Sequence, residues 1–210
     1  VVPQNGKEIL PAAYGVDLGT VFKPAPNLMI NTALWYLYMD QEFVYVGDEA
    51  VVEPSGRTKR VGIDLSARYQ PLKWLYVDMD LNLTKARALD EAKGADYLPL
   101  APAITSIGGI TVQLPSGING SLRYRYMGNR PANEDHSTIA KGYFVTDALL
   151  SYSLGKWEVS ATTQNLFNTK WKETQFDTES RLANETDPVT EIHFTPGTPF
   201  ALRLGLTYNF

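Results

Sequence analysis

The chain has no cysteine among its 210 residues, which excludes disulfide scaffolds and thiolate metal sites. No apolar run approaches the roughly 18 residues of a membrane-spanning helix, and the longest one, residues 33–39, ends at Asp40. The net charge is −4 and Lys and Arg are not clustered in the sequence, so no nucleic-acid partner is expected. Only two histidines are present, and nucleophile elbows, phosphate loops and paired-histidine motifs are missing. We therefore expect neither an enzyme nor a cofactor.

The dominant pattern in the sequence is an alternation of apolar and polar residues. It is strict over residues 61–70, 75–84 and 200–210, where every second residue is apolar with few exceptions. Because successive side chains of a strand point to opposite faces, each segment predicts a strand with one apolar and one polar face. Weaker alternation predicts six more strands, at residues 14–23, 28–46, 104–114, 118–130, 143–154 and 157–171. The fold prediction is an all-β, antiparallel chain of about nine strands.

The connections between the predicted strands alternate in length. Short turns are predicted at residues 23–27, 70–74, 115–118 and 154–157. Long polar segments lie between them, at residues 47–59, 90–103, 129–142 and 172–199. Short turns on one rim and long loops on the other are typical of an outer-membrane β-barrel. A soluble β-sandwich has no physical reason to sort its loops, so the pattern favours a transmembrane barrel.

The number of strands predicts that this sequence is part of a larger barrel. Bacterial single-chain barrels have an even number of strands, and nine would leave two open edges in lipid. We expect half or more of the barrel to lie before Val1, and a 22-stranded, plugged transporter matches in size. The first residues have neither an initiator Met nor an apolar signal core, as expected of a processed or truncated chain.

Several segments resemble those of TonB-dependent receptors, in the order in which that family shows them. Residues 165–168, Asn-Leu-Phe-Asn, are similar to the family's Asn-Leu-Phe-Asp-x-x-Tyr motif on the penultimate strand, with Trp171 in place of Tyr. The terminal residues Tyr208 and Phe210 resemble the signal that the outer-membrane assembly machinery reads. The other similar segments are residues 60–64, 99–102, 124–128, 142–147 and 197–199.

The resemblance implies that residues 1–210 are the C-terminal portion of a receptor barrel, without its plug domain and N-terminal strands. It implies an outer-membrane protein that takes up a scarce ligand, by default a ferric siderophore, with energy supplied through TonB. The implied partners are the plug domain, TonB acting through the missing N-terminus, outer-membrane lipid and the barrel assembly machinery. A passive porin or structural barrel and, less favoured, a soluble β-sandwich binding module are the alternatives.

Charged residues occupy the polar faces of the predicted strands and would face the hydrated lumen of a barrel. Three are expected just below the long-loop rim, bordering a ligand vestibule: Asp64, Asp147 and Arg203. Four are expected nearer the short-turn rim, facing the plug: Arg68, Asp78, Asp80 and Glu158. The alternative interpretation is that they are wall charges without a ligand role. The residues of the Asn-Leu-Phe-Asn motif are Asn165, Leu166, Phe167 and Asn168.

Two further groups of residues are candidates for a site or a membrane contact. The last long segment holds carboxylates and an imidazole that could bind a hard metal ion, at Asp177, Glu179, Glu185, Asp187, Glu191 and His193. They lack a recognised ligand spacing, so a solvated acidic loop without a metal is predicted. Aromatic residues near strand ends predict girdles at the bilayer interfaces, at Tyr36, Tyr38, Trp74, Tyr124, Tyr126, Trp157 and Trp171.

Overall fold

The computed structural model describes residues 11–46, 51–54 and 56–210. Fifteen strands and no helix are found in these ranges, so the all-β prediction is confirmed. Within the same ranges, none of the chain forms a helix of the length and apolarity needed to cross a membrane. The strands are β1 (Ala13–Ala25), β2 (Leu28–Met39), β3 (Phe43–Val46), β4 (Val51–Pro54), β5 (Thr58–Leu72), β6 (Leu75–Ala88), β7 (Ile104–Gln113), β8 (Ile118–Met127), β9 (Arg130–Pro131), β10 (Ile139–Ala140), β11 (Tyr143–Leu154), β12 (Trp157–Gln164), β13 (Lys172–Ser180), β14 (Val189–Pro196) and β15 (Ala201–Tyr208).

Nine of these strands form one antiparallel sheet, which we call the wall. Its order is β1-β2-β5-β6-β7-β8-β11-β12-β15, so each wall strand is hydrogen-bonded to the wall strands that precede and follow it in the sequence. The predicted number of long strands is therefore confirmed. Tight turns join alternate pairs of wall strands at one rim, two of them through glycines with positive φ, Gly117 at 90° and Gly155 at 59°. The long connections all lie at the opposite rim, as predicted.

The long connections contain strands of their own, which the sequence did not predict. Three of them form two-stranded hairpins: β3 with β4, β9 with β10, and β13 with β14. The prediction of one strand over residues 28–46 is wrong, because β2 ends at Met39 and residues 43–46 belong to a hairpin. Between them, Glu42 turns back to the wall, where its carboxylate accepts a hydrogen bond from Thr58 Oγ1 at 2.7 Å and pairs with Arg60.

Two other predicted strands are too long. The strand predicted over residues 118–130 ends at Met127. The strand predicted over residues 157–171 ends at Gln164, because the next residue, Asn165, has a φ of 48° that takes the backbone out of the extended region.

The two faces of the wall differ in polarity. Cross-strand pairs place Ala161 opposite Leu204 and Val159 opposite Leu206 on one face, and nothing in the described chain covers them. Leu204 is 73% exposed and Leu18, on β1, is 75% exposed. A β-sandwich would bury such faces against each other, so that alternative is wrong for this chain. An exposed apolar sheet face is the one that a barrel turns to lipid. We call it the outer face.

Buried apolar side chains are few and lie on the other face, at the long-loop rim. Leu98, 4% exposed, reaches down from the connection between β6 and β7 and packs on Ala86 and Ala88 of β6. Both alanines point to the inner face, since they pair with Arg60 and Thr58 of β5. This small cluster seats the loop on the wall rather than forming a central core.

Aromatic side chains mark both rims of the outer face. At the short-turn rim, Trp157 packs on Tyr208 with ring centroids 4.7 Å apart, and Tyr208 packs on Phe210 at 5.3 Å. Near the long-loop rim, Tyr124 stacks on Phe144 at 5.4 Å. These positions agree with the girdles that amphipathic aromatic residues form at bilayer interfaces.

Candidate functional site

All seven charged residues predicted as site residues project from the inner face. One row of cross-strand pairs runs from Arg68 through Asp78, Gly109 and Arg123 to Asp147. The others follow in the same alternation, because Ser66 pairs with Asp80, Asp64 with Asn82, Ser153 with Glu158 and Thr162 with Arg203. The prediction that strand alternation separates these charges from the apolar face is therefore correct. Their functional roles stay a prediction.

Toward the short-turn rim, two arginines and two aspartates form a network with no net charge. Arg68 Nη2 donates to both carboxylate oxygens of Asp80, at 2.8 and 2.9 Å. Arg123 Nη1 donates to Asp78, although β7 lies between the two strands that carry these residues. The paired charges hold each other in place on a wall that is partly open to water.

Gly109 makes the second of these pairs geometrically accessible. It is the cross-strand neighbour of both Asp78 and Arg123. A Cβ at Gly109 would lie 3.0 Å from Arg123 Cδ and 2.1 Å from the carbonyl oxygen of Leu122. Because Gly109 has no side chain, the side chain of Arg123 can pass over β7 to reach Asp78.

Near the long-loop rim, each carboxylate oxygen of Asp147 has one partner within the chain. Its Oδ2 pairs with Arg125 Nη2 at 3.4 Å, and its Oδ1 accepts a hydrogen bond from the backbone N–H of Asn165 at 2.9 Å. The guanidinium of Arg125 also lies over the ring of Trp171, 5.4 Å from its centroid. Asp147 thus links the wall to the segment that follows β12.

Trp171 does not belong to the outer girdle, and that prediction is wrong. Its ring packs on Tyr143, on the inner face of β11, with centroids 4.8 Å apart. Its Nε1 donates to the carbonyl oxygen of Thr198 at 3.0 Å, and Gly197 provides the space beneath the ring. Closeness to a strand end is shared by both faces, so the sequence could not assign the side.

Asp64 lies deeper than predicted. The direction of the predicted strand places it just below the long-loop rim, but β5 begins at Thr58 and has Asp64 near its middle. Asn82 Nδ2 donates to it. Both line a concavity of about 570 Å³ on the inner face, together with Asn31, Ser66 and Asp80. Strands β6, β7 and β8 separate Asp64 from Asp147, so the structure does not bring the three predicted vestibule residues together.

Arg203 and Glu158 differ in their partners. Glu158 Oε2 accepts a hydrogen bond from Ser153 Oγ at 3.1 Å. Arg203 is exposed and has no hydrogen-bond or ion-pair partner among the described residues. It is therefore the predicted vestibule residue whose charge is free to meet a ligand.

The resemblance implies that the Asn-Leu-Phe-Asn segment lies on the penultimate strand. In the structure it forms a tight turn after β12 instead. Asn165 is 1% exposed, and its Nδ2 donates to the carbonyl oxygens of Thr169 and Thr198 at 2.8 and 3.0 Å. Its Oδ1 accepts from the N–H of Thr169 at 2.8 Å. Asn168 makes one such bond, from the N–H of Phe200 to its Oδ1 at 3.0 Å. The two amides close the base of the last long loop.

The long connections contact one another and form a layer above the wall, which we call the external layer. The N–H of Lys141 donates to Gln175 Oε1 at 2.9 Å, and Gln175 Nε2 donates back to the Lys141 carbonyl at 2.8 Å. On the other side, the N–H of Leu100 donates to the carbonyl of Pro131 at 2.7 Å. The layer therefore joins three successive connections. Gln175, 1% exposed, was missed because nothing in its polar segment distinguishes it.

Two charged groups of this layer, Asp90 and Arg130, have pKa values below their ordinary ones. Arg57 Nε donates to Asp90 Oδ1 at 2.9 Å, and this hydrogen bond holds the pKa of Asp90 below its ordinary value. Arg130 is 6% exposed, and burial lowers its pKa. Its Nη1 has no hydrogen-bond partner within the described parts of the chain.

The acidic side chains of the last loop do not converge. His193 Nε2 lies 2.9 Å from Ser180 Oγ across the β13–β14 hairpin and 3.6 Å from Glu191 Oε1 on its own strand. In the part of the chain that the structure describes, no three His, Asp or Glu side chains gather closely enough to hold a metal ion.

Comparison with known proteins relates this geometry to a family. The family model described as "TonB dependent receptor-like, beta-barrel" matches residues 12–166. No curated protein matches the chain. The whole of it is similar to 30% of the ferric-catecholate import receptor Fiu from E. coli K12, with a TM-score of 0.74 and 18% identity.

Two further solved structures show the same fold. For the ferric yersiniabactin uptake receptor FyuA from Yersinia pestis, the TM-score is 0.71 and the identity 13%, over 94% of this chain and 30% of that one. For the copper transporter OprC, the values are 0.67 and 16%, over 94% of this chain and 32% of that one. The chain thus spans about 30% of the length of the structures that it resembles.

Proposed function

The chain belongs to the TonB-dependent receptor-like β-barrel family, and we propose that it forms part of the wall and external loops of a larger uptake receptor. Membership confirms the predicted location in the bacterial outer membrane and the prediction that the chain is not an enzyme. One observation carries the proposal: the wall is a single layer, apolar outside and charged inside.

The edges of the wall support a larger barrel. Among the described residues, β1 and β15 each pair on one side only. Lipid does not tolerate unpaired strand edges, so further strands are needed to close the ring. A 22-stranded barrel around a plug domain is the closure that we propose. In it the present chain is the C-terminal portion, and Tyr208 and Phe210 serve as the signal for the assembly machinery.

We propose that the complete receptor imports a scarce ligand, with energy transmitted through TonB to the plug domain. A ferric siderophore is the first candidate, since two of the similar proteins described above are receptors for ferric complexes. The copper transporter makes another metal complex the second candidate. The cationic side chain of Arg203 near the external rim, which has no ion-pair partner among the described residues, favours an anionic chelate.

Uptake of radioactive iron tests this proposal. Cells with and without the gene for the full-length receptor would be given a panel of ferric siderophores, in strains that contain or lack TonB. We expect one class of chelate to be imported only when both proteins are present. Uptake that continues without TonB, together with entry of unrelated small solutes, would instead show a passive porin.

We propose that the charged residues of the inner face have two roles. Asp147 and Arg203, toward the external rim, and Asp64, at the middle of β5, border the ligand vestibule. Those toward the short-turn rim face the plug: Arg68, Asp78, Asp80 and Glu158. The contacts within the chain distinguish Arg203 in particular, because the network of Arg68, Asp78, Asp80 and Arg123 is internally neutral whereas Arg203 is free among the described residues.

Replacing Arg203 with Gln in the full-length receptor should weaken binding of an anionic ferric chelate about tenfold, or ~1.4 kcal/mol. The charge is lost while a polar, though shorter, side chain is kept. Fluorescence quenching by the bound chelate measures the affinity. Lys156→Gln, which removes a charge at the opposite rim, is the matched control. Equal affinity of Arg203→Gln and the wild type would remove Arg203 from the vestibule.

A further inference from the structure

Four basic side chains meet on the outer face of the wall, just below the external rim. Lys59 of β5 and Arg87 of β6 are direct cross-strand neighbours, and Lys85 lies on the same face of β6. Lys93, from the connection after β6, lines the same groove, which has a volume of about 620 Å³. The four residues do not form a run in the sequence. The register of β5 against β6 and the connection after β6 bring them together.

The positive charge of this groove is only partly compensated. Among the described residues that line it, Asp96 is the one acidic side chain, and it pairs with Arg87 Nε at 3.3 Å. Arg87 also lies over the ring of Tyr97, 4.0 Å from its centroid. Lys59 and Lys85 have no carboxylate partner in the described ranges. Like charges placed opposite each other in a sheet are destabilising, so the cluster calls for an anion from outside the chain.

An apolar groove continues from the basic one toward the middle of the wall. It has a volume of about 470 Å³ and is lined by Leu34, Ile63 and Leu83, with Val61 and Lys85 shared by both grooves. A cationic recess above an apolar channel matches the charged head and acyl chain of a lipid. A free anion would use only the upper part.

We propose that these two grooves bind one phosphate-bearing lipid of the external leaflet. Its phosphate lies among Lys59, Lys85, Arg87 and Lys93, which donate charge-assisted hydrogen bonds to it, and an acyl chain follows the apolar groove. Lysines at a membrane rim also extend to the interface singly. That behaviour does not explain four cations from three segments around one groove. The inference rests on the barrel orientation of the proposed function, but not on its cargo.

Lipid binding to the full-length receptor in a neutral detergent tests the inference. Lipid A with two phosphates is the probe, and native mass spectrometry counts the molecules retained. We expect one tightly held lipid. The double variant Lys59→Gln with Lys85→Gln should bind it about thirtyfold more weakly, since each basic side chain near an anionic lipid contributes about fivefold. Unchanged electrophoretic mobility of the folded barrel excludes misfolding.

The controls separate a lipid site from less specific explanations. Lys73→Gln with Lys156→Gln removes two charges at the short-turn rim and should leave binding unchanged. An equal loss in this control variant, equal retention of dephosphorylated lipid A, or competition by inorganic phosphate at similar concentration would each overturn the proposal. Iron uptake by the Lys59 and Lys85 variant should stay normal, so failure of the lipid site and failure of the uptake proposal are distinguishable.

Discussion

Replacing Asn165 with Ala should open the base of the last external loop in the full-length receptor. The change removes three side-chain hydrogen bonds of a residue that is 1% exposed. Each such bond contributes about 1 kcal/mol net, and a φ of 48° is about 1 kcal/mol less favourable for Ala than for a residue that tolerates it. The free energy of loop opening should therefore fall by about 3–4 kcal/mol. Hydrogen exchange at the amides of Thr169 and Phe200 measures it.

Asn168 provides the matched control, because it has nearly the same φ of 50° but makes one side-chain bond as an acceptor. Asn168→Asp keeps that acceptor and should leave hydrogen exchange nearly unchanged. Asn165→Asp should exchange at least as fast as Asn165→Ala, since it keeps the bond from Thr169 but places a buried carboxylate oxygen against the carbonyl oxygens of Thr169 and Thr198. If Asn165→Ala exchanges at the wild-type rate, the amide does not close the loop.

Replacing Gly109 with Ala should strongly reduce the amount of folded receptor in the outer membrane. The new Cβ would lie 2.1 Å from the carbonyl oxygen of Leu122 and 3.0 Å from Arg123 Cδ. Backbone atoms of β8 would have to move, and the arginine would lose its path to Asp78. Overpacking of this kind costs about 1–3 kcal/mol, and separating the ion pair adds to it. The folded fraction, read from the heat-dependent shift in gel mobility, measures the effect.

Gly15→Ala is the control for this change. Gly15 also points to the inner face, but a Cβ there would meet nothing closer than 3.6 Å. We expect wild-type levels of folded receptor for it. Equal levels for both variants would mean that β7 and β8 adjust their spacing easily, and that the glycine is not needed for the crossing.

The wall could be predicted from the sequence because one physical rule controls it. Alternation assigned Asp64, Asp78 and Asp80 to the inner face and Leu204 to the outer face, since each residue of a strand has a fixed side. The rule does not give the register between strands. The pairs of Arg68 with Asp80 and of Arg123 with Asp78 therefore appear only in three dimensions.

The rim and the external layer were harder to predict for a different reason. Their contacts depend on single side chains that act as caps and latches, such as Asn165 and Gln175, within polar segments that show no period. The same limit explains why the sequence predicts an acidic loop where the structure has the hairpin β13–β14. The basic groove was missed because Lys59 and Lys85 are 26 residues apart and become neighbours only through β5 and β6.

The crossing of β7 by Arg123 has a consequence for how this protein can vary. Asp78, Gly109 and Arg123 lie on three adjacent strands, yet none can change alone without leaving a charge unpaired or a path blocked. Homologues that keep the arginine should keep the glycine, whereas those that lose the arginine can enlarge the glycine only if the backbone of β8 also shifts. The three positions should therefore be inherited as one unit, and aligned relatives should show them drifting together while the residues around them drift apart.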